Sequence, residues 1–221
     1  ALWGAFNPAP GFHPYRNHFM LKAADYPNRT ALRKALRQAR RRLTRAEQRH
    51  AAERLCALLR QTPKFIHARD IAVYMANDGE IDPRPFVDWA RRHRKRIWLP
   101  LIHPLQHNHM RLALLGQRWK RNRFGIQEPA VTYADTLPAW RMDVICLPLV
   151  GFDAHGNRLG MGKGFYDRTL AFLRDTRPIK APLLVGLAHA CQQVDSLPAA
   201  DWDVPLDLIA TDREIMPVIK P

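Results

Sequence analysis

The sequence is short of cysteine, short of acidic residues and without a long apolar run, and each shortage removes a class of protein. Its three cysteines, Cys56, Cys146 and Cys191, lie far apart and form no CxxC pair. An odd, scattered set does not build a disulfide framework. Cys56 falls on an apolar helical face and Cys146 in an apolar run, which suits small core residues in a reducing, cytoplasmic compartment. No apolar stretch approaches the roughly 18 residues that would cross a bilayer. Residues 1–29 also lack the basic start and long apolar stretch of a secretory signal, and carry three prolines between Pro8 and Pro14. They read as a loosely ordered N-terminal extension, with Met20 a candidate natural start. Internal repeats and low-complexity tracts are absent.

Asp plus Glu number only 20 against 35 Lys plus Arg, for a net charge of +15 over 221 residues. That excess calls for an anionic partner, either nucleic acid or a polyanionic small molecule. Hydrophobic residues make up 47 %, enough for a packed core, and the length suits one domain over residues 30–221.

Thr30 is an N-cap candidate, followed at helical spacing by Leu32, Leu36, Ala39 and Leu43. Arg33, Lys34, Arg37, Arg40, Arg41 and Arg42 take the other faces. Thr44-Arg-Ala-Glu47 is a capping box that predicts a second helix to about Leu59. Strands are predicted at Ile71–Met75, Arg96–Leu101, Met110–Leu115, Asp143–Val150, Leu183–Leu187 and Leu206–Ala210. Helices are predicted at Arg84–His93 and from Gly164 to Leu173. Alternation of strand and helix gives an α/β sheet with helices on both faces.

The most informative stretch runs Gly151-Phe-Asp-Ala-His-Gly-Asn-Arg-Leu-Gly160-Met-Gly-Lys-Gly164-Phe-Tyr-Asp-Arg168. It follows the best strand and leads into a helix, where open α/β sheets bind ligands. Alternate glycines let backbone N–H groups approach an anion, and a helix N-terminus adds partial positive charge. Lys163 can reach a phosphate, Asp167 can serve Mg²⁺, and Tyr166 can orient a polar group. The pattern is neither a P-loop nor GxGxxG. A glycine-rich capping turn is the plainer alternative.

The same stretch resembles the signature of 5-formyltetrahydrofolate cyclo-ligases, the methenyltetrahydrofolate synthetases. Further matches follow in order: the basic first helix, NDGEID at 77–82, NRFGIQEP at 122–129, and VGLAHACQQVDSLPAADWDVPLD at 185–207. The resemblance implies a three-layer α/β domain with a mostly parallel sheet. It implies conversion of 5-formyltetrahydrofolate and MgATP to 5,10-methenyltetrahydrofolate, ADP and phosphate. The formyl oxygen is phosphorylated first, and N10 then closes the ring. By position, Gly160, Met161, Gly162, Lys163, Gly164, Phe165, Tyr166, Asp167 and Arg168 belong to the ATP loop. Arg33 and Arg37 match paired basic residues of the first helix, with Lys34 competing for the same phosphate contact. Glu80 and Phe124 match folate contacts, with Tyr166 beside the substrate. Arg33, Lys163 and Tyr166 carry the catalytic assignment, and Asp167 the Mg²⁺. The implied partners are ATP and the folate, with or without a polyglutamate tail, and the expected protein is a monomer engaging neither nucleic acid nor membrane.

Two other readings stay open. The runs Arg37–Arg49, Arg91–Arg96 and Arg118–Arg123 could form a nucleic-acid surface, although no zinc-finger, RNA-recognition or KH signature accompanies them. A relative that binds nucleotide without turnover would keep the same motifs. His103, His107 and His109 have no further ligand cluster and are not read as a metal site.

Overall fold

Local chemistry starts the helices. In a computed structural model describing residues 20–103, 105–116, 118–121, 125, 127–175, 181–198, 200 and 202–218, helix α1 spans Arg29–Arg41. Its cap is Asn28, not Thr30: the Asn28 side chain accepts from the Thr30 and Ala31 N–H groups, 3.0 Å each. The Thr44/Glu47 capping box opens α2, Arg45–Leu59. Short α3, Pro63–His67, has proline in its first turn, and α4 spans Arg84–Arg92. Where one helix was predicted from Gly164 to Leu173, two short ones form, α5 at Phe165–Thr169 and α6 at Phe172–Asp175.

The strands are β1 Asp70–Ala72, β2 Arg96–Ile102, β3 Met110–Leu114, β4 Trp119–Arg121, β5 Gln127–Pro129 and β6 Thr136–Leu137. They continue with β7 Val144–Pro148, β8 Gly151–Phe152, β9 Arg158–Leu159, β10 Leu183–Leu187, β11 Leu208–Ala210 and β12 Ile215–Pro217. Eight form one sheet in the order β12-β11-β10-β7-β1-β2-β3-β6. Pairing is parallel from β11 to β2, and β12, β3 and β6 join the edges by antiparallel pairs. The hairpins β4-β5 and β8-β9 stand outside it.

Alternation along the central strands sends side chains to two cores. Ile71, Ile97, Val144, Cys146 and Val185 pack with Leu55, Leu59, Phe86 and Ala90 of α2 and α4. Ala72, Ile145, Leu147 and Leu184 pack on the other face with Leu170, and Tyr166 and Phe172 cover them. A third cluster seats Leu32 and Leu36 of α1 on Val150, Leu159 and Val194. The result is helix, sheet, helix, as the strand–helix alternation predicts. Residues 21–28, assigned above to the extension, are held to the domain. Leu21 bridges Val194, and the Ala23 N–H donates to Asp195 Oδ1 at 2.8 Å.

From β1 the chain builds outward through β2 and β3, then returns to lay β7, β10 and β11 on the other side of β1. Strand order therefore reverses between β1 and β7, the place where open α/β sheets leave a crevice at the carboxyl ends of their strands.

Candidate functional site

A cavity of about 920 Å³ opens at that crevice. Tyr74 and Met75 just beyond β1, Pro100 and Ile102 of β2, and Pro148 with Leu149 at the end of β7 form part of its wall. Two loops complete it.

The first is the turn 77–80, closed by the Glu80 N–H donating to the Asn77 carbonyl at 3.0 Å. It is held by a side chain that a charge-pattern reading assigns to the helix surface. Arg40 is fully buried. Its Nε donates to the Asp78 carbonyl at 2.9 Å, Nη2 to Asp78 Oδ2 at 2.9 Å, and Nη1 to the Leu149 carbonyl at 3.2 Å. Arg37 Nε adds a 2.7 Å bond to Asp78 Oδ2, and Arg41 also binds this carboxylate. Burial works to raise the Asp78 pKa, but the three arginines outweigh it and bring it down to about 2. Glu80 lies 3.7 Å from Arg40 Nη2 and accepts from the Asn77 N–H at 3.1 Å. Burial nevertheless lifts its pKa above the usual carboxylate range, because the Arg40 charge is shared with Asp78. Glu80 therefore presents a partly desolvated carboxyl to the cavity.

The second loop comes from the glycine motif, which divides into two functions. Its first half is scaffold. Asp153, fully buried, accepts from the His155 and Asn157 N–H groups at 3.0 Å, from Asn157 Nδ2 at 2.9 Å and from Leu197 N at 2.9 Å. These bonds form the turn between β8 and β9. The second half, Gly160–Gly164, lines the cavity with the start of α5. Gly162 and Gly164 adopt φ +84° and +67°, the left-handed region that glycine enters without strain. A Cβ on Gly162 would sit 3.5 Å from the Arg33 guanidinium, and one on Gly164 only 2.5 Å from Arg168 Nη1. Arg33 itself donates from Nε to the Gly160 carbonyl at 2.8 Å. Burial lowers its pKa, with Arg29 one turn away adding like-charge repulsion. An anion between these groups would relieve both effects.

The sequence-derived residues thus separate. Arg33, Glu80 and the whole run from Gly160 to Arg168 line one cavity. Arg37 points to Asp78, and Lys34 is exposed on α1 outside the lining. Phe124 lies outside the described residues. Three residues that sequence reasoning missed join the wall: Arg29, Arg40 and Arg158. Arg29 continues the Arg33 face by four residues, a spacing that could have found it. Arg158 is buried and donates to the Val204 carbonyl and to Asp167 Oδ1. That engages one oxygen of the carboxylate assigned to Mg²⁺. No group of three or more His, Cys, Asp or Glu able to cage a metal occurs among the described residues. A divalent cation here would take most of its ligands from phosphate and water, as Mg²⁺ commonly does, with Asp167 as one carboxylate. Burial and the nearby Glu80 charge push the Tyr166 hydroxyl well above its ordinary pKa, so it stays a proton donor. His103 is a loop-capping residue: its Nδ1 accepts from the Leu105 and Gln106 N–H groups and its Nε2 meets the Tyr133 hydroxyl at 2.7 Å. His189 is fully buried behind the site, with its pKa pushed down to about 4 by burial.

The arrangement offers cations and a glycine-rich backbone for a polyphosphate, beside an apolar wall and one carboxyl. A sequence model of the 5-formyltetrahydrofolate cyclo-ligase family matches residues 25–212. The chain is 37 % identical over 184 residues to the 5-formyltetrahydrofolate cyclo-ligase of Escherichia coli K12, covering 81 % of this chain and 98 % of that one. It is 37 % identical over 180 residues to the cyclo-ligase of Haemophilus influenzae, covering 80 % and 94 %. The solved 5,10-methenyltetrahydrofolate synthetase of Aquifex aeolicus superposes with a TM-score of 0.73 at 29 % identity, over 87 % of this chain and 94 % of that one. The chain belongs to the 5-formyltetrahydrofolate cyclo-ligase family.

Proposed function

We propose that this member of the family is an enzyme converting 5-formyltetrahydrofolate and ATP to 5,10-methenyltetrahydrofolate, ADP and phosphate. The observation that carries this reading is the meeting of Arg33, Glu80 and the Gly160–Arg168 run in one cavity at the β1/β7 crevice. The γ-phosphoryl group passes to the formyl oxygen, breaking its bond to ADP and forming C–O–P. N10 then attacks the activated carbon, the C–N bond forms, N10 gives up its proton to solvent, and phosphate leaves with the former formyl oxygen. Phosphoryl transfer asks the protein chiefly for positioning and cations.

In this reading Arg29, Arg33, Lys163 and Arg168 hold the triphosphate with the Gly160–Gly164 backbone. Arg33 and Lys163 counter the charge that develops on the transferred group, and the Tyr166 hydroxyl donates to the reacting region. Glu80 orients the folate ring against the apolar wall of Met75, Ile102 and Met110, and Phe124 is assigned to the same substrate. Mg²⁺, when bound, neutralises charge on the triphosphate, and Asp167 is the carboxylate that would hold it. The working unit is a monomer that takes the folate with or without a polyglutamate tail, and the compartment is the cytoplasm. No described helix is long and apolar enough to cross a membrane.

The test is the absorbance of the methenyl product on mixing protein, 5-formyltetrahydrofolate and MgATP. Product should require both substrates, disappear in excess EDTA and return with Mg²⁺. Nucleotide binding without product would point to a relative lacking turnover. Tight binding of an oligonucleotide that weakens steeply with salt, again without product, would favour a nucleic-acid role.

A further inference from the structure

One large apolar side chain on the cavity is left unemployed by this assignment. Trp202 lines the cavity and is 63 % exposed. The other exposed tryptophans among the described residues, Trp119 and Trp140, lie outside the lining, and Trp140 packs edge-on to Phe172 at 5.8 Å. Trp202 is carried on a tight turn. The Asp203 N–H donates to the Ala200 carbonyl at 2.9 Å, and the Ala200 N–H donates back to Asp203 Oδ2 at 3.0 Å. The same Asp203 oxygen lies 3.5 Å from Arg29 Nη2. The turn is therefore tied to the first residue of α1, one helical turn before Arg33. Met161, also half exposed, lines the same cavity from the glycine loop.

An exposed indole is commonplace on a surface, but here it stands beside the cations that would hold a polyphosphate. A flat apolar face next to the anion subsite fits a nucleobase joined to phosphates, since the folate ring is assigned to Glu80 and the wall of Met75, Ile102 and Met110. Every base has a π-face, and stacking on an aromatic side chain strengthens binding by roughly tenfold. We propose that Trp202 is the platform on which the purine ring of the nucleotide stacks, with the 200–203 turn held in place through Asp203 and Arg29. This rests on the nucleotide reading above and adds the residue that recognises the base. Stacking grows with ring area, so the site should favour purine over pyrimidine triphosphates without sharply separating adenine from guanine.

Binding of ADP, CDP and inorganic tripolyphosphate is to be measured calorimetrically on the whole chain, as wild type and as Trp202→Ala and Trp202→Phe. The alanine variant should bind ADP about tenfold more weakly. The phenylalanine variant should fall between it and wild type, and tripolyphosphate should bind all three alike. In turnover, Trp202→Ala should raise the KM for ATP and leave the KM for 5-formyltetrahydrofolate unchanged. Equal ADP affinity in the alanine variant, or equal loss of ADP and tripolyphosphate, overturns the proposal; the second result would make the tryptophan a support of the turn. Wild-type protein that binds ADP yet forms no methenyl product would sink the enzymatic reading and leave the platform standing. Protein that binds neither anion would sink both.

Discussion

Asp78, in the turn 77–80, accepts hydrogen bonds from three arginines of α1, whereas the loop 160–164 on the same cavity is tied to that helix by the Arg33–Gly160 bond. The turn has a fully buried guanidinium at its centre. The loop owes its shape to glycines at positive φ, to Asn108 Nδ2 donating to the Lys163 carbonyl at 2.8 Å and to Arg168 Nη1 donating to the same oxygen at 3.0 Å. One wall is fixed before any ligand arrives. The other sets a glycine backbone and the Arg33 and Arg168 side chains, bonded to its own carbonyls, against the cavity. A rigid ring system and a flexible triphosphate would call for that division.

The sharpest way to break the comparison is to remove its buried centre. Arg40→Leu takes the guanidinium from the Asp78 carbonyl and leaves Asp78 Oδ2 to Arg37 and the Leu149 carbonyl to Gln192 Nε2. It should cost about 3 kcal/mol and lower the melting temperature by roughly 10 °C. A melting temperature within a degree or two of wild type would show that Arg37 and Arg41 suffice.

Glu80→Gln keeps the shape of the turn and removes one charge. Turnover with 5-formyltetrahydrofolate should fall by roughly tenfold or more, the worth of a hydrogen bond to a charged group, while melting at neutral pH holds or rises slightly because a buried charge is removed. Full activity would reduce Glu80 to a turn residue.

Gly162→Val tests the other wall. A branched residue at φ +84° carries about 1–2 kcal/mol of strain and crowds Arg33. The loop is exposed and can relax, so the loss should appear as about tenfold weaker ATP binding with folate binding retained. A lowered melting temperature with both ligands weakened together would instead favour a plain capping turn.

The smallest effect is acidic. The folded pKa of Asp78 is depressed to about 2, so its stabilising contribution is complete above the ordinary carboxylate range. That contribution fades as pH falls from about 4 towards 2. Glu80, whose pKa is raised, works in the opposite sense and costs stability once ionised. Melting curves of Asp78→Asn and wild type should therefore converge towards pH 2 and separate at neutral pH. Parallel curves would mean that the arginine cage owes little to charge.

What the sequence shows well is what neighbours in sequence decide. The Thr44/Glu47 capping box, the β10 boundaries and the glycine run are local patterns, and each stands where it was expected. The hairpin β8-β9 was hidden within that run because Asp153 draws on the distant Leu197 N–H as well as on its neighbours. Arg40 was misread because its partners are 38 and 109 residues away. A trace of it was present: Leu32, Leu36 and Arg40 share one buried face at four-residue spacing, and two carboxylates sit in the short turn it serves. Lys34, the candidate competing with Arg33 for the phosphate contact, lies on the side that the Leu32–Leu36 stripe turns to water.

The reach of Arg40 also sets an order of events in time. A ribosome adding about 5–20 residues per second needs roughly 5–20 s to travel from Arg40 to Leu149, 109 residues on. For the later part of that interval, once Asp78 has been added 38 residues on, Arg40 and Asp78 can already meet, but the carbonyl that completes the cage has not yet been made. The wall is thus completed only after β7 is made, and a chain cut short before Leu149 would carry Glu80 on a turn tied through the Tyr74 hydroxyl at Ile81 but lacking the Arg40 bond to the end of β7.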